Sequence, residues 1–304
     1  MDTPQLEAFL AVVDVGSFTR AAARLGVSQP AVTNRVRGLE QSLGTELLRR
    51  LPHGVTPTPA GDELVPYARD IVALTTRALR VVASRDRPCG TVRVGTLGSL
   101  TGHRLLPLIE YVYLRYPDVE ISMCSPTDGD ALSHVRDGRF DCAFFVDCVR
   151  RHKDLETRLL CPEPLVLVAG PDHPLTASDH VCAEDLRGAT LVRSDQYAAY
   201  HRRFEQAIGV SRPAELRLFA LDSFDAVKRS VANGIGVALV PEVAVEKDLL
   251  SGDLRRVAWT PPFETCTQVA WRRNNPRNPA LDVLVQAAAR VVEEQLSDRL
   301  QATG

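Results

Sequence analysis

Residues 17–43, SFTRAAARLGVSQPAVTNRVRGLEQSL, admit few arrangements other than two short helices joined by a tight turn. Ser17 can cap a first helix over 20–25 and Gly26 can take the positive φ of the turn. Ser28 can cap a second helix, with Pro30 in its first turn, where a missing N–H costs nothing. Val32, Val36, Leu39 and Leu43 recur at helical spacing, so one stripe faces inward and Gln29, Thr33, Asn34 and Arg37 point outward. Amides, a hydroxyl and a guanidinium are the groups that pair with base edges and phosphates in a major groove. The competing reading is an ordinary helical hairpin with a solvated face.

Charge separates the two readings. Between residues 17 and 57, Arg20, Arg24, Arg35, Arg37, Arg49 and Arg50 stand against only Glu40 and Glu46, while the whole chain carries a net charge of −2. The positive field is therefore concentrated where phosphates would lie. The segment 46–57, ELLRRLPHGVTP, reads as two short strands around a Pro-His-Gly turn. Such a hairpin is a wing, able to present Arg50 and His53 to the DNA backbone or minor groove.

From Thr58 to about residue 85 the chain reads as one long helix, capped by Thr58 with Pro59 in its first turn. Leu64, Tyr67, Ile71, Leu74, Ala78 and Val81 recur as an a/d seam, and helices with such seams pair. The alternative is that the stripe packs on its own helix-turn-helix. Pro66 is expected to bend the helix or limit its first turns. Pairing would put two reading helices on one duplex, so the target should be an interrupted palindrome. Residues 84–90, SRDRPCG, read as a hinge.

With 304 residues the chain has room for two or three domains. Beyond the hinge, short apolar strands alternate with amphipathic helices: strand 91–95, helix 105–116, strand 119–123, helix near 131–137, strand 141–146. That order implies a parallel sheet covered on both faces. A second series runs through strands 165–169 and 190–193, a helix around 197–208 and a strand at 236–241. The final helix, with Leu281, Leu284, Val285, Ala288 and Val292 on one stripe, should pack back on the first series. Two similar lobes joined by crossing strands leave a cleft at the carboxyl ends of their strands.

The chain resembles the LysR-type transcriptional regulators. The resemblance rests on an N-terminal helix over 5–15, on GSFTRAAARLGVSQPAVTNRVRGLEQSLGTELLRR and GVTPTPAGDELVPYAR in that order, and on LLPLIEYVYLRYPDVEISM, HVRDGRFDCAFFV, LVLVAGPDHPL and VKRSVANGIGVALVP further on. It covers nearly the whole chain. It implies an α/β protein: a winged helix-turn-helix at 1–58, a linker and dimerisation helix with hinge at 59–87, and at 88–304 a two-lobed effector-binding domain similar to periplasmic binding proteins. Lobe I would hold about 91–161 and 268–304, lobe II about 162–267. The positions matching Gln29, Pro30, Thr33 and Asn34 would approach bases, with Ser28, Arg37, Arg50 and His53 beside them. Leu48 stands where the family usually has Phe, and His53 where Arg is common. By position, Ser99, Thr101, Ser125, Thr127, Asp147, Ser194, Gln196, Tyr197 and Ser223 would line the cleft. Hydroxyls and free N–H groups at helix starts receive anions, so a small acid is the expected effector, although each hydroxyl also reads as a plain helix cap. The partners implied are double-stranded DNA, the effector, a second copy paired through the linker helix, a tetramer of two such dimers, and RNA polymerase.

Gly234-Ile235-Gly236 lacks the third glycine of a dinucleotide loop, and the chain holds no Gly-Lys-Ser/Thr ending, no G-x-S-x-G elbow and no H-E-x-x-H. Glu163 with Asp172-His173 could in principle form a hydrolytic pair, but no nucleophile at a strained turn accompanies them. The seven cysteines contain no C-x-x-C pair, so no metal, cofactor or disulfide framework is expected. A redox-sensing regulator is the rival reading. Cys142 and Cys148 are too far apart along a strand to bond without a turn, and Cys182 sits among acids that disfavour a thiolate. No apolar run approaches the roughly 20 residues of a membrane span, and no basic tract with an apolar core directs export, so a cytoplasmic home is expected.

Overall fold

The computed structural model describes residues 1–51, 54–83, 88–126, 128–194, 198–209, 217–273 and 278–302, and in the two long helices the side chains of 77, 79–83 and 296–302 lie outside that description. Three helices open the chain: α1 (Thr3–Val15), α2 (Phe18–Leu25) and α3 (Gln29–Leu43). Ser17 caps α2 by accepting the Arg20 N–H, and Gly26 ends it at a φ of 65°. Ser28 occupies the N-cap of α3, but its hydroxyl makes no capping bond. Val32, Val36 and Leu39 are buried against Leu6, Phe9 and Val12 of α1. Leu43 departs from the expected stripe and is 42% exposed, because the helix has reached its last residue beyond the small core.

The hairpin of β1 (Leu48–Leu51) and β2 (Gly54–Pro57) follows, antiparallel with Leu48 opposite Pro57. Glu40 of α3 anchors its root by accepting the Leu47 N–H at 3.0 Å. Next comes α4 (Pro59–Ala83), capped as expected by Thr58, whose hydroxyl accepts the Gly61 N–H. A Cβ at Gly61 would stand 2.1 Å from the Leu47 carbonyl oxygen, so only glycine lets α4 start flush against the wing root. Pro66 neither ends nor shortens α4, which runs unbroken through it.

The apolar residues of α4 divide between two faces. Val65 and Ala68 are buried in the helix-turn-helix core, with Leu64 and Val72 packed at its edge. Tyr67, Ile71 and Leu74 are exposed, Tyr67 to 67%. The expected seam thus loses Leu64 to the domain's own core and keeps Tyr67, Ile71, Leu74 and Ala78 outward, while Val81 lies outside the described side chains.

The remainder forms two lobes, each around a five-stranded sheet. The first runs β3 (Gly90–Gly95), α5 (Gly98–His103), α6 (Leu106–Arg115), β4 (Val119–Cys124), α7 (Ala131–Arg136), β5 (Cys142–Asp147) and β6 (Leu155–Pro162). The second holds β7 (Leu165–Ala169), α8 (Ala183–Leu186), β8 (Thr190–Arg193), α9 (Ala199–Ala207), β9 (Arg217–Ala220), α10 (Phe224–Ala232), β10 (Val237–Pro241), α11 (Glu246–Ser251) and β11 (Arg255–Arg256). The chain then returns to the first lobe as β12 (Cys266–Arg272) and α12 (Pro279–Ala302). Sheet orders are β4-β3-β5-β12-β6 and β11-β7-β10-β8-β9.

Both sheets are mixed, which corrects the all-parallel expectation. β4-β3-β5 and β10-β8-β9 are parallel, but β12 runs antiparallel to β5 and β6, and β7 runs antiparallel to β10. A strand that returns from another lobe needs no helical crossover and can insert in either direction. The stretch expected as one helix at 105–116 is preceded by a separate short helix, with the Arg104 side chain buried at the junction. β5, β7 and β10 are buried at every position, as strands covered on both faces must be. Leu281, Leu284, Val285, Ala288 and Val292 of α12 are buried, and α12 packs on α6, β3 and β6.

Where the chain crosses between lobes, Glu163 and Arg104 form an ion pair 0% and 2% exposed. Arg104 Nε and Nη2 each donate to a Glu163 oxygen at 2.9 Å, and the Thr267 hydroxyl donates to Oε2 at 2.8 Å. The Glu163 N–H donates to the Thr265 carbonyl, and the Thr265 hydroxyl donates back to the Glu163 carbonyl. This one acid fastens the outgoing crossing, the returning crossing and the first lobe's α5–α6 junction. It is consumed structurally and is no half of a hydrolytic pair, and His173 Nδ1 accepts the Leu175 N–H instead. Glu163→Ala should destabilise the protein by about 3–5 kcal/mol, since it strands a buried guanidinium. Urea unfolding measures this, and a loss under about 1 kcal/mol would contradict the role.

Candidate functional site

The first candidate surface is the outer face of α3. Ser28, Gln29, Pro30, Asn34 and Arg37 are exposed and Thr33 is half-buried, so the expected reading residues share one face. Gln29 Nε2 donates to the Thr33 hydroxyl at 2.9 Å, holding two of them in register. The arginines of the region split by role. Arg20 donates to the Val15 carbonyl and Arg24 pairs with Asp14, both turned back onto the domain. Arg37 and Arg49 are exposed. The Arg50 guanidinium lies 4.7 Å from the centroid of the Phe18 ring, so it stays charged at the surface while tied to the start of α2. His53 lies outside the described residues, as do Thr127, Gln196 and Tyr197.

The second candidate is the cleft between the lobes. A narrow cavity of about 40 Å³, part-open to solvent, is walled by Leu97, Leu132, Phe144 and Val146 of the first lobe and Ala198 and Ala199 of the second. Asp130, Asp147, Arg150 and Arg202 supply polar groups to the same cavity, Asp130 being tied up as the cap of α7 through the Ser133 N–H. Arg202, on the first turn of α9, is exposed and has no ion-pair partner among the described residues. Next to Leu97, the Thr96 and Ser99 hydroxyls are buried without a hydrogen-bond partner among the described residues. A buried hydroxyl left unpaired costs about 1–3 kcal/mol, which a bound polar ligand would recover.

The expected cleft residues do not behave alike. Ser99 opens α5 and offers its hydroxyl, but Thr101 spends its own on the Leu97 carbonyl at 3.1 Å. Ser125 is exposed at the end of β4, and Ser194 is 9% exposed just past β8. Ser223 caps α10 by accepting the Ala226 N–H, the plain-cap reading of its hydroxyl. Asp147 lines the cavity, yet its carboxylate is already engaged. Oδ1 accepts from Arg203 Nε at 2.6 Å and from the Cys148 N–H at 2.8 Å, and Arg150 Nη2 approaches Oδ2 at 3.1 Å. Because Asp147 belongs to β5 and Arg203 to α9, the pair spans the cleft, and the hydrogen bond raises the guanidinium's hold on its proton. Thr96 and Arg150 were not foreseen, and no local spacing marks them; Arg193, Arg202 and Arg203 hint at an acid in the sequence, but 33 arginines among 36 basic residues leave no one of them marked.

Cys142, Cys161 and Cys182, three of the seven thiols, have their ionisation opposed by their surroundings. Burial pushes the Cys142 thiol well up and the Cys161 thiol to about 11. The Cys182 thiol donates to Asp185 Oδ2 at 3.0 Å, which raises it as well. Among the described residues no group of three or more His, Cys, Asp or Glu is placed to hold a metal, and no helix is long and apolar enough to cross a membrane.

A winged helix-turn-helix joined by one helix to a two-lobed receptor defines a ligand-responsive DNA-binding regulator. The chain belongs to the LysR family of transcriptional regulators: residues 3–62 match the bacterial regulatory helix-turn-helix protein, lysR family, and residues 85–293 match the LysR substrate binding domain. It is 29% identical over 278 residues to the uncharacterized HTH-type transcriptional regulator YwqM of Bacillus subtilis, covering 90% of this chain and 94% of that one. Among solved structures it resembles full-length OxyR from Pseudomonas aeruginosa, with a TM-score of 0.68, 24% identity, and 95% and 94% of the two chains covered. It also resembles full-length CbnR in complex with its target DNA, with a TM-score of 0.59, 24% identity, and 95% and 99% covered.

Two measurements test these sites. Asn34→Ala should lower discrimination between a selected site and random DNA by about 1–3 kcal/mol while leaving salt-sensitive binding to random DNA intact, as read by gel shift. Unchanged discrimination would remove Asn34 from base contact. His201 of α9 is 2% exposed, and burial, helped by nearby Arg193, lowers its pKa to about 3. In the unfolded chain the ring takes a proton near about 6.5, so below that pH the unfolded state binds more protons and stability falls toward pH 3, by up to about 1.4 kcal/mol per unit. His201→Phe should flatten that fall in urea titrations between about pH 6 and 4.5. An unchanged slope would place the acid sensitivity elsewhere.

Proposed function

We propose that this LysR-type regulator pairs through the exposed face of α4, reads an interrupted palindrome with two copies of α3, and is switched by a small carboxylic acid with an apolar body held between its lobes. The domain limits that go with this reading are 1–58 for the reader, 59–87 for the linker and 88–304 for the receptor. The observation that carries it is the cavity itself. Its walls are leucine, phenylalanine and valine, while Arg202 stands at its edge with no ion-pair partner among the described residues. Apolar walls favour an apolar body, and the Arg202 guanidinium at their edge favours one carboxylate, placed away from Asp130 and the arginine-bound Asp147 that line the same cavity.

Closure of the lobes on the acid would change how the receptor halves meet neighbouring subunits and so alter the spacing of the paired readers. Pairing through α4 fits the exposure of Tyr67, Ile71 and Leu74 on one side of a 25-residue helix. A tetramer of two dimers, contact with RNA polymerase and a cytoplasmic site of action complete the reading.

The test is a thermal-shift screen of the purified protein with apolar carboxylic acids and their neutral primary amides. A fitting acid at about 100 times its Kd should stabilise the protein by about 2.7 kcal/mol, its amide should not, and Arg202→Ala should abolish most of the difference. Acid and amide acting equally would overturn the anion reading.

A further inference from the structure

Arg69 and Asp70 are neighbours on α4, so their side chains leave the helix about 100° apart, and they reach two different domains. Arg69, whose side chain is 9% exposed, pairs with Asp14 near the end of α1, Nη2 to Oδ1 at 2.6 Å. Arg24 of α2 takes the other Asp14 oxygen at 3.2 Å. Asp70 turns toward the receptor and accepts from both terminal nitrogens of Arg272, the last residue of β12, with Nη1 to Oδ2 at 2.7 Å and Nη2 on Oδ1. The Arg272 and Asp70 side chains are 16% and 32% exposed, so the pair is partly shielded from screening.

The surroundings make this contact tight and narrow. Gly138, in the turn between α7 and β5, has a φ of +73°, and a Cβ there would lie 3.4 Å from the Arg69 Cβ and 3.5 Å from Arg272 Nη1. Beside it, an open crevice of about 930 Å³ separates the reader and α4 from the first lobe, bordered by Arg69, Arg93 and Asp137. Beside that crevice, the Arg272–Asp70 ion pair joins α4 to the receptor, next to the Gly138 turn that packs against Arg69. At its other end β12 touches the cleft: Gln268 Nε2 donates to the Asp147 carbonyl at 3.0 Å. One strand, about 20 Å long at 3.3 Å per residue, thus joins the inter-lobe pair to the linker helix.

We propose that the bidentate Arg272–Asp70 pair is the joint that sets the angle of the DNA reader against the receptor, with Arg69–Asp14 as its reader-side half. Bidentate guanidinium–carboxylate pairs fix orientation as well as distance. A shift of β12 on closure of the cleft would move Asp70, and α4 would carry the movement to α3 through the Arg69–Asp14 contact. Arg272 and Asp70 are positioning residues that touch no base and no effector. The coupling to the cleft rests on the reading above, whereas the joint itself does not.

The test uses the full-length protein with no effector, on a duplex carrying one half-site and on the complete site, both selected from a random pool. Asp70→Arg and Arg272→Asp should each leave half-site affinity within about twofold, yet change complete-site affinity by about fivefold or more and alter the DNA bend measured by gel mobility. The double exchange should restore affinity and bend, because it rebuilds the pair with reversed sign. Asp70→Asn and Arg272→Gln, which remove charge without repulsion, should show the same pattern more weakly, and they decide the matter if the reversals do not fold. The proposal is overturned if single variants match the wild type on the complete site, if the double exchange does not restore, or if half-site binding falls in parallel. Each readout is independent of whether an acid binds the cleft.

Discussion

The receptor half of this molecule depends on keeping Glu163 and Arg104 paired out of water. Each is a charge whose burial costs several kcal/mol unless its partner and further hydrogen bonds meet it in fixed geometry. Thr265 and Thr267 supply those bonds from the returning crossing, and Gln295 of α12 donates to the Arg104 carbonyl. Outgoing strand, returning strand and final helix are thus drawn to one point. The lobes meet there at a fastened hinge, and beyond it the Asp147–Arg203 pair bridges the cleft they leave.

Much of the fold was legible because local chemistry decides it. The Ser17 and Gly26 punctuation, the apolar stripe through Val32, Val36 and Leu39, and the continuous runs at β5, β7 and β10 carry their own structural signal. β6 was missed because LETRLLCP, an edge strand with exposed Glu156, Thr157 and Arg158, shows no apolar run. β12 was missed because its place is set by strands more than 100 residues away, as in the pairing of Gln268 with Phe145. The division of α4 into two apolar faces could not be read from one heptad count, since Leu64 fits the seam by spacing and the domain core by contact.

The site was legible in part, and for the same reason. The α3 face follows from helical periodicity, so Gln29, Asn34 and Arg37 fell where expected. The cleft is assembled from residues distant in sequence. Asp147 and Arg203 are 56 positions apart, and nothing near either one announces that the expected polar contact is already bound to arginines. With 33 arginines among 36 basic residues, composition gives no sign of which one borders the cavity, as Arg202 does. Its significance comes from standing beside an apolar cavity, which only the tertiary structure creates.

Among the described residues, reader, linker and receptor are joined by an apolar stripe on one side of α4 and by two ion pairs on adjacent residues of its middle. In the reading proposed above, two chains paired through α4 present two copies of α3 to one duplex. The most direct check is footprinting of the purified protein on the DNA upstream of its own gene across a salt series. Two protected half-sites about one helical turn apart, or a multiple of it, are predicted. The binding constant should fall steeply with salt, by a slope of about 0.9 per phosphate neutralised. Protection no greater than on random DNA would contradict the account.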